Sequence, residues 1–425
     1  MKVLIVSHPP VTTHEAMGKT FLSLFIKFKK EELCQFYIGP NIPDIDFCNS
    51  YFRITDKDVL KSYFKFKVKS KKISIQEINN SNSILFESEK DELFYKNKKN
   101  KTSFRILLRD LMWKFSHWYT KELKEWVKEE EPTHIFVAPG NAKLIYDVAI
   151  KLSKELKLPI ITYICDEFYF VNNVNTLLDK LRLKLIRNKM HQLMDRTSHI
   201  VTICDRLNEL YSKEFDKPTT TIMTGASFDT TEKKVDIIKL KALYYFGNII
   251  CNRYISLADI GRVLKRINFE NNTDFVLKIY TNVKDRELLN YLSEIDTIRY
   301  CGHITGDEFY KVFHSADILV HTEAFDKESV DLVKNSVSTK IADSLASGIP
   351  LFAYGPAKVA SMKHLIDNNC AITATSDDEL YDALKSVFFD SDLRKKVVAN
   401  ALETAERYHN SKINSNSLYD LINLL

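Results

Sequence analysis

One run of this 425-residue chain, 338–353, groups hydroxyl, lysine and aspartate side chains at the start of a predicted helix, and it reads Ser-Thr-Lys-Ile-Ala-Asp-Ser-Leu-Ala-Ser-Gly-Ile-Pro-Leu-Phe-Ala. Ser338 or Thr339 can cap a helix that begins at Lys340. A lysine at a helix N-terminus, beside the carboxyl edge of a sheet, is typical of a diphosphate site. Asp343, one turn further, can accept hydrogen bonds from ribose hydroxyls. The run therefore predicts a nucleoside-diphosphate site.

A second candidate site follows the first apolar run of the chain, where His8 closes a predicted strand. The tripeptide Gly18-Lys19-Thr20 matches the end of a P-loop, but Thr13 stands where that motif needs its first glycine. We therefore do not interpret it as a nucleoside-triphosphate site. The loop and helix start after the strand can still bind an anion or a sugar through backbone N–H groups.

Metal-binding patterns are weak in this sequence. Asp44-Ile45-Asp46 is a D-x-D, but it follows a turn-rich loop, and we interpret it as loop chemistry rather than as a metal site. The seven cysteines form no C-x-x-C pair, and the eleven histidines form no H-x-x-x-H or mixed cluster. These spacings argue against structural zinc and favour reduced, buried thiols in a cytosolic protein.

The elements that position these residues alternate between short β-branched runs and amphipathic helical segments. The predicted strands are Val3–Ser7, Phe36–Gly39, Thr133–Ala138, Ile160–Ile164, Ile200–Thr202, Thr221–Thr224, Leu243–Gly247, Phe275–Tyr280, Ile298–Gly302, Ile318–His321, Leu351–Ala353 and Ala371–Ala374. Gly348 is expected to end the helix of the 338–353 run in a left-handed conformation. Apolar strands separated by helices indicate parallel sheets, and the pattern occurs twice. The prediction is an α/β fold with two doubly wound domains whose sheets face a central cleft.

The domain boundaries follow from a break in this pattern. Ser227–Lys234 is polar and lacks periodicity. We place the first domain at 1–228, the second at 235–405 and a C-terminal helix at 406–425. The first domain carries an insert, around 57–127, that departs from the alternation of strands and helices.

The insert is the basic part of a nearly neutral chain. The net charge is +5, and between Lys57 and Lys114 there are 15 Lys/Arg against 7 Asp/Glu. A single helix is predicted over Phe104–Val127, and it holds all three tryptophans. Aromatic and basic residues together suit peripheral contact with an anionic membrane; the alternative is a core-facing helix with its lysines in solvent. No run approaches the ~20 apolar residues that span a bilayer, so we expect a cytoplasmic protein, or one peripheral on the inner membrane face.

The 338–353 run resembles the donor-binding segment of glycosyltransferase family 4 and related enzymes of the GT-B fold, whose pattern resembles Pro/Ser-Ser/Thr-Lys-Ile-x-Glu-Tyr-Leu-Ala-x-Gly-x-Pro-Val-x-Ala. Three further stretches match in the expected order. Ser198–Cys204 resembles the strand that closes the first domain, Tyr245–Arg253 the first strand and phosphate loop of the donor domain, and Tyr300–Val320 its F-x-G-x-V … L-x-x-x-Y-x-x-A-D-I segment. The resemblance covers most of the chain and is strongest over 243–375.

The resemblance implies two Rossmann-like domains and an enzyme that takes a sugar from a nucleoside diphosphate, with retention of configuration and with no metal or other cofactor. The donor-binding residues are then Arg253, Gly302, His303, Ile304, Ser338, Thr339, Lys340 and Asp343. The candidate acceptor contacts are His8, Gly18 and Lys19, and the catalytic candidates are Asp166, Glu167 and Glu323. Positive charge at the helix N-terminus is expected to stabilise the leaving diphosphate.

The sequence departs from the family where the chemistry is expected. The family has two glutamates seven residues apart, whereas here Asp343 stands at the second position and Asn335 lies eight residues before it. Glu323 or Glu328 can supply the missing carboxylate. The family's His-Asp after the fourth strand reads Cys165-Asp166-Glu167.

The predicted function is transfer from a nucleotide sugar to a glycan or lipid-linked glycan in cell-surface polysaccharide synthesis. Two alternatives stay open: a nucleotide-sugar 2-epimerase, which uses the same fold, and a catalytically inactive sugar-nucleotide or glycan-binding subunit, which is compatible with the replaced glutamates. Nucleic-acid binding is not expected, because the basic region contains no recognisable module and the overall charge is small.

Overall fold

Two sheets, each in its own part of the chain, form the frame of the protein. The computed structural model describes residues 1–13, 16–65, 68, 70–73, 102–171, 176–227 and 240–425. The chain divides into two compact units. The first unit is Met1–Thr224 together with Ser411–Leu425, and the second is Gly225–Asn410, so the second is inserted into the sequence of the first.

The first sheet consists, within the described residues, of β1 (Val3–Ser7), β2 (Leu33–Tyr37), β3 (Ser50–Arg53), β4 (Lys71–Ile73), β5 (His134–Val137), β6 (Ile160–Ile164), β7 (Thr197–Thr202) and β8 (Thr219–Thr221). Their order is β4-β3-β2-β1-β5-β6-β7-β8. Neighbouring strands are parallel except β3 and β4, which are antiparallel. β1 lies between β2 and β5 and is fully buried, which is why it reads as a continuous apolar run.

Among the described residues, the helices of the first unit that precede the second unit are α1 (Ala16–Leu24), α2 (Asp56–Lys65), α3 (Ser103–Phe115), α4 (Lys121–Glu130), α5 (Lys143–Leu156), α6 (Leu177–Met194) and α7 (Asp205–Phe215). The single helix predicted over Phe104–Val127 is wrong, because two helices, α3 and α4, occupy this stretch. Ser116 leaves α3 in an extended conformation, and the Thr120 side chain caps α4 by accepting a hydrogen bond from the backbone N–H of Leu123.

Two of the tryptophans in this insert belong to the core. Trp113 Nε1 donates to Asp56 Oδ1 at 2.9 Å, and Trp126 Nε1 donates to Ser50 Oγ at 2.8 Å. Both rings are buried, as the core-facing alternative predicted. Residues 66–67, 69 and 74–101, which carry much of the insert's positive charge, lie outside the described residues.

The second sheet consists, within the described residues, of β9 (Ala242–Phe246), β10 (Val276–Tyr280), β11 (Ile298–Tyr300), β12 (Ile318–Thr322), β13 (Leu351–Tyr354) and β14 (Ile372–Ala374). Their order is β11-β10-β9-β12-β13-β14, and every neighbouring pair is parallel. All carboxyl ends therefore meet at one edge, which is where α/β sheets bind ligands.

The helices of the second unit are α8 (Arg253–Asn271), α9 (Arg286–Ser293), α10 (Gly306–His314), α11 (Lys327–Val333), α12 (Lys340–Ala346), α13 (Ala360–Asp367), α14 (Asp377–Phe389) and α15 (Ser391–Tyr408). Apolar side chains of α8, such as Leu257 and Leu264, pack with those of the strands, such as Leu243 and Leu277, in one buried cluster. Gly348 has a φ of +71° just after α12, as the sequence predicts.

The end of the chain differs from the predicted division into domains. Residues 406–425 are not one helix: they hold the end of α15 and a further helix, α16 (Ser411–Asn423), which belongs to the first unit. In that unit, the rings of Phe28 and Tyr419 lie 4.9 Å apart. The first part of that unit ends at Thr224 rather than at 228, and residues 228–239, which hold most of the predicted junction, lie outside the described residues.

Candidate active site

A buried ion pair lies at the carboxyl ends of β9 and β12, which are neighbours in the second sheet. Arg253 is the first residue of α8, after β9, and Glu323 directly follows β12. Arg253 Nε and Nη2 both lie 2.8 Å from Glu323 Oε2. Burial alone would lower the pKa of Arg253, but the Glu323 carboxylate outweighs it, so the pKa of the guanidinium lies above its usual value. The guanidinium therefore stays protonated, and the N–H groups that Glu323 does not take are able to bind phosphate.

His321 faces the other oxygen of Glu323. Its Nε2 lies 3.7 Å from Glu323 Oε1 and 3.1 Å from Ser361 Oγ. Burial lowers the pKa of His321 to about 4; Glu323 opposes this shift, and the charges of Arg253 and Lys340 add to it. The imidazole is therefore neutral at pH 7.

Backbone contacts hold Glu323 in place. Its N–H donates to Tyr354 O at 3.0 Å, and its carbonyl accepts a hydrogen bond from Ser256 Oγ at 2.9 Å. Gly355 follows β13 on the neighbouring strand, and a Cβ there would lie only 3.0 Å from Glu323 Cβ. Gly355 therefore permits the close approach that positions the carboxylate.

The predicted diphosphate segment has the expected helix but not the expected cap. Thr339 immediately precedes α12, and Lys340 is its exposed first residue. The Thr339 side chain makes no capping hydrogen bond, because its backbone is already helical, with φ −59° and ψ −20°. The carbonyl of Ser338 instead accepts a hydrogen bond from Ile341 N at 3.0 Å.

Asp343, predicted to contact a ribose, is engaged within the second unit. Its Oδ1 accepts a hydrogen bond from Ser227 N at 2.7 Å, and its Oδ2 accepts one from Ser227 Oγ at 3.3 Å. The Asp343 side chain is buried. A ribose hydroxyl would therefore have to share this carboxylate with Ser227.

The remaining predicted donor residues follow β11, which is two strands away from β9 in the sheet. Gly302 has a φ of +81°, and its carbonyl accepts a hydrogen bond from Thr281 N at 2.9 Å. His303 is exposed and Ile304 is half-buried. These residues share a sheet edge with Arg253, because the strands are parallel.

In the first unit, His8 belongs to a charged cluster at the carboxyl end of β1. Arg109 Nη2 lies 3.1 Å from His8 Nε2, and Arg109 Nε donates to Asp56 Oδ1 at 2.7 Å. Trp113 Nε1 donates to the same oxygen. The sequence analysis did not find Arg109 or Asp56, because Arg109 lies 101 residues beyond His8 and no local spacing connects them.

Gly18 lies in α1, next to the loop that follows β1. A Cβ on Gly18 would lie 1.9 Å from the carbonyl oxygen of Thr12. The backbones of Gly18 and Thr12 therefore lie so close that only glycine fits at position 18, and no bound ligand is needed to explain this residue. Lys19, the next residue, is half-buried.

Asp166 and Glu167 follow β6 and differ in their surroundings. Glu167 Oε1 accepts hydrogen bonds from the backbone N–H groups of Tyr169 at 2.6 Å and Phe170 at 2.7 Å, so this carboxylate shapes the turn after the strand. Asp166 is exposed. His8 and Asp166 lie at the same edge of the sheet, since β1, β5 and β6 are parallel neighbours.

The D-x-D carboxylates hold loops, as the sequence indicates. Asp44 accepts hydrogen bonds from Thr13 N at 2.9 Å and from Thr13 Oγ1 at 2.7 Å, and Asp46 pairs with Lys30. Across the part of the chain that the structure describes, no three His, Cys, Asp or Glu side chains are grouped so that they could hold a metal ion. Among the same residues, no helix has the length and the apolar character needed to cross a membrane.

Residues 262–418 match the model of a protein family described as glycosyl transferase-like. No curated protein matches the sequence. Solved structures are similar over the whole chain. HepE of Anabaena, in complex with UDP and glucose, gives a TM-score of 0.63 at 10% identity and covers 100% of both chains. Sucrose-phosphate synthase from Thermosynechococcus elongatus gives 0.62 at 12% identity and covers 100% of this chain and 99% of its own.

WaaG, a glycosyltransferase involved in lipopolysaccharide biosynthesis, is also similar, with a TM-score of 0.56 at 11% identity over 98% of this chain and 99% of its own. Similarity at these identities shows a shared fold. The predicted pair of Rossmann-like domains is therefore confirmed. The chain thus has the GT-B fold of these structures, and its residues 262–418 resemble a family described as glycosyl transferase-like.

Proposed function

We propose that the protein transfers a sugar from a UDP-sugar to a glycan or lipid-linked glycan acceptor in cell-surface polysaccharide synthesis, with retention of configuration and without a metal ion. The observation that carries the proposal is the buried Arg253–Glu323 pair at the carboxyl edge of the second sheet, next to His321 and under the influence of Lys340. The similarity to HepE, whose solved complexes contain UDP, supports the choice of nucleotide.

The chemistry requires positive charge where the leaving group forms. When the glycosidic C–O bond breaks, negative charge develops on the diphosphate, and preorganised cations stabilise that charge more than they stabilise the ground state. Glu323 takes two N–H groups of Arg253, and a guanidinium has further donors for phosphate oxygens. Lys340 adds a second cation. Glu323, predicted as a catalytic residue, acts in this proposal by holding Arg253.

The acceptor contacts are proposed for the first unit. His8, together with Arg109, offers polar groups at the carboxyl end of β1, and Lys19 follows in α1. Asp166 is the proposed residue for orienting the attacking hydroxyl, since Glu167 is engaged in a turn. A retaining, metal-independent reaction in the cytoplasm, with peripheral membrane contact, completes the proposal.

Calorimetry with UDP tests the donor site. Lys340→Ala and Arg253→Lys are expected to weaken UDP binding by about 10- to 100-fold each, because a hydrogen bond to a charged group contributes roughly 1.5–3 kcal/mol. The matched controls are Lys363→Ala and Arg266→Lys, whose side chains are exposed and paired within their own helices. Unchanged affinity in both site variants would refute the assignment of the donor site.

Turnover separates the proposed reaction from its alternatives. A transferase releases UDP only slowly in the absence of an acceptor and much faster when its glycan acceptor is added. Conversion of the UDP-sugar into its epimer in an acceptor-free assay would indicate an epimerase instead. UDP binding without release of UDP under any acceptor condition would indicate a binding subunit.

A further inference from the structure

One face of α3 (Ser103–Phe115) presents large apolar side chains to solvent. Phe104, Leu108, Leu111 and Phe115 are between 50% and 66% exposed. Their spacing places them on one side of a helix of about 3.6 residues per turn. Trp113, on the opposite side, is buried in the core. The inner and the outer faces of α3 are therefore both apolar, and only the inner face is covered by the core.

The first turns of α6 (Leu177–Met194) continue this apolar surface. Leu177, Leu178 and Leu181 are all exposed, and Leu177 is 84% exposed. Ser103 Oγ donates to Asp179, which holds the beginning of α3 beside the beginning of α6. We name these seven side chains of α3 and α6 the α3–α6 surface. Single exposed apolar residues are ordinary, whereas a continuous group of this kind marks an interaction site.

The charges around the α3–α6 surface are positive. The exposed charged side chains of the two helices are all cations, since their two aspartates, Asp110 and Asp179, are buried and half-buried. The exposed Arg105 and Lys114 lie on the two flanks of the apolar stripe of α3, about 90° to either side of it. Lys180 and Lys184 are exposed on α6. Apolar side chains flanked by cations on long stems match the boundary between acyl chains and anionic headgroups.

We propose that the α3–α6 surface docks on an anionic lipid bilayer, with α3 in the plane of the headgroups. Charge selects this occupant: two copies of such a positive surface repel each other, whereas anionic headgroups attract it. The contact predicted for residues 57–127 is thereby moved from the tryptophans, two of which are buried, to the outer face of α3, and it is extended to α6. This inference deepens the peripheral membrane contact of the proposed function, but lipid docking needs no sugar donor, so vesicle binding can be tested apart from transfer.

The inner side of α3 connects this surface to the candidate acceptor residues. Arg109 leaves the same helix and reaches His8 at the end of β1. The bilayer and the carboxyl edge of the first sheet thus lie on two sides of one helix. This arrangement suits an acceptor carried by a lipid. The lipid anchor of the acceptor would lie in the bilayer on one side of α3, and its glycan would lie near His8 on the other side.

Co-sedimentation with vesicles tests the proposal on the full chain. We expect binding to vesicles of phosphatidylcholine with phosphatidylglycerol, and weak binding to pure phosphatidylcholine. Leu108→Ser with Phe115→Ser is expected to weaken binding at least about tenfold, which corresponds to about 1.4 kcal/mol. Leu177→Ser with Leu181→Ser is expected to act in the same direction on the other helix. Arg105→Gln with Lys114→Gln is expected to reduce the preference for anionic vesicles.

The matched control is Ile26→Ser with Phe269→Ser, which removes exposed apolar side chains elsewhere and is expected to leave vesicle binding unchanged. Circular dichroism and UDP binding show whether each variant is folded. A wild-type protein that does not co-sediment with vesicles containing phosphatidylglycerol would overturn the proposal. Folded variants of both helices that bind like wild type would also overturn it. A lipid-independent dimer that the α3 variant dissociates would assign the surface to self-association instead.

Discussion

Removing the arginine of the buried Arg253–Glu323 pair should destabilise the second unit more than the first. Arg253→Met keeps a long side chain but leaves the Glu323 carboxylate, whose side chain is 4% exposed, without the cation at 2.8 Å. Breaking a buried pair in this way costs about 3–5 kcal/mol, because the remaining charge stays desolvated. An exposed pair costs about 0–1 kcal/mol. The expected loss is therefore far larger than that of Arg266→Met, whose pair with Glu270 is exposed on the same helix.

The placement of the tryptophans makes the measurement specific. All three lie between residues 113 and 126, in the first unit, so their fluorescence follows that unit alone, whereas far-ultraviolet circular dichroism follows both. In urea, Arg253→Met is expected to shift the dichroism transition to lower denaturant and to shift the fluorescence transition by a smaller amount, because the second unit affects the first through the closure of α16 onto it. Arg266→Met is expected to leave both transitions nearly unchanged, because its ion pair is exposed to solvent.

A double-mutant cycle decides whether the loss comes from the stranded charge. Arg253→Met combined with Glu323→Met removes both charges, and we expect it to recover most of the stability that the single change loses. A loss below about 1 kcal/mol for Arg253→Met would refute the reasoning. Equal losses in the single and double variants would do so as well.

Three further perturbations test other parts of the structure. Gly18→Ala places a Cβ 1.9 Å from Thr12 O. We therefore expect the free energy of unfolding of the first unit, measured by tryptophan fluorescence in urea, to fall by about 2 kcal/mol or more. His321 has a pKa of about 4 when folded against about 6.5 when unfolded, so its contribution is complete above pH 6.5 and falls by roughly 3 kcal/mol towards pH 4, which dichroism against pH measures. Trp113→Phe removes the indole hydrogen bond to Asp56, and we expect a loss of about 1–3 kcal/mol in urea unfolding followed by dichroism.

Strands that read as apolar runs were predictable from the sequence, and two strands at one end of the first sheet were not. β1 and β6 have both ends where the apolar runs place them, because both faces of these strands are buried. β3 and β4 were missed. β4 is Lys-Lys-Ile at the described edge of the first sheet, and charged residues at an edge prevent unwanted pairing but also remove the apolar signal.

The candidate site was predictable residue by residue but not pair by pair. Lys340 was identified because it begins a predicted helix, and Arg253 because Tyr245–Arg253 resembles the phosphate loop of the family. The pairings of the site residues could not be predicted. Glu323 lies 70 residues from its partner Arg253, and Ser227 lies 116 residues from its partner Asp343. Such pairs depend on which strands become neighbours, and strand order is not encoded in any local spacing.

The position of α16 in the first unit has a consequence for the order of folding. Asn414 Nδ2 donates to Met223 O at 2.9 Å, so the first unit is complete only when the chain on both sides of the second unit has come together. The second unit brings its own ends together, because Ala226 N donates to His409 O at 2.8 Å. Once folded, it turns the long loop 225–410 into a short link and removes most of the entropic cost of closure. We therefore expect the second unit to fold first and to make the closure of the first unit easier.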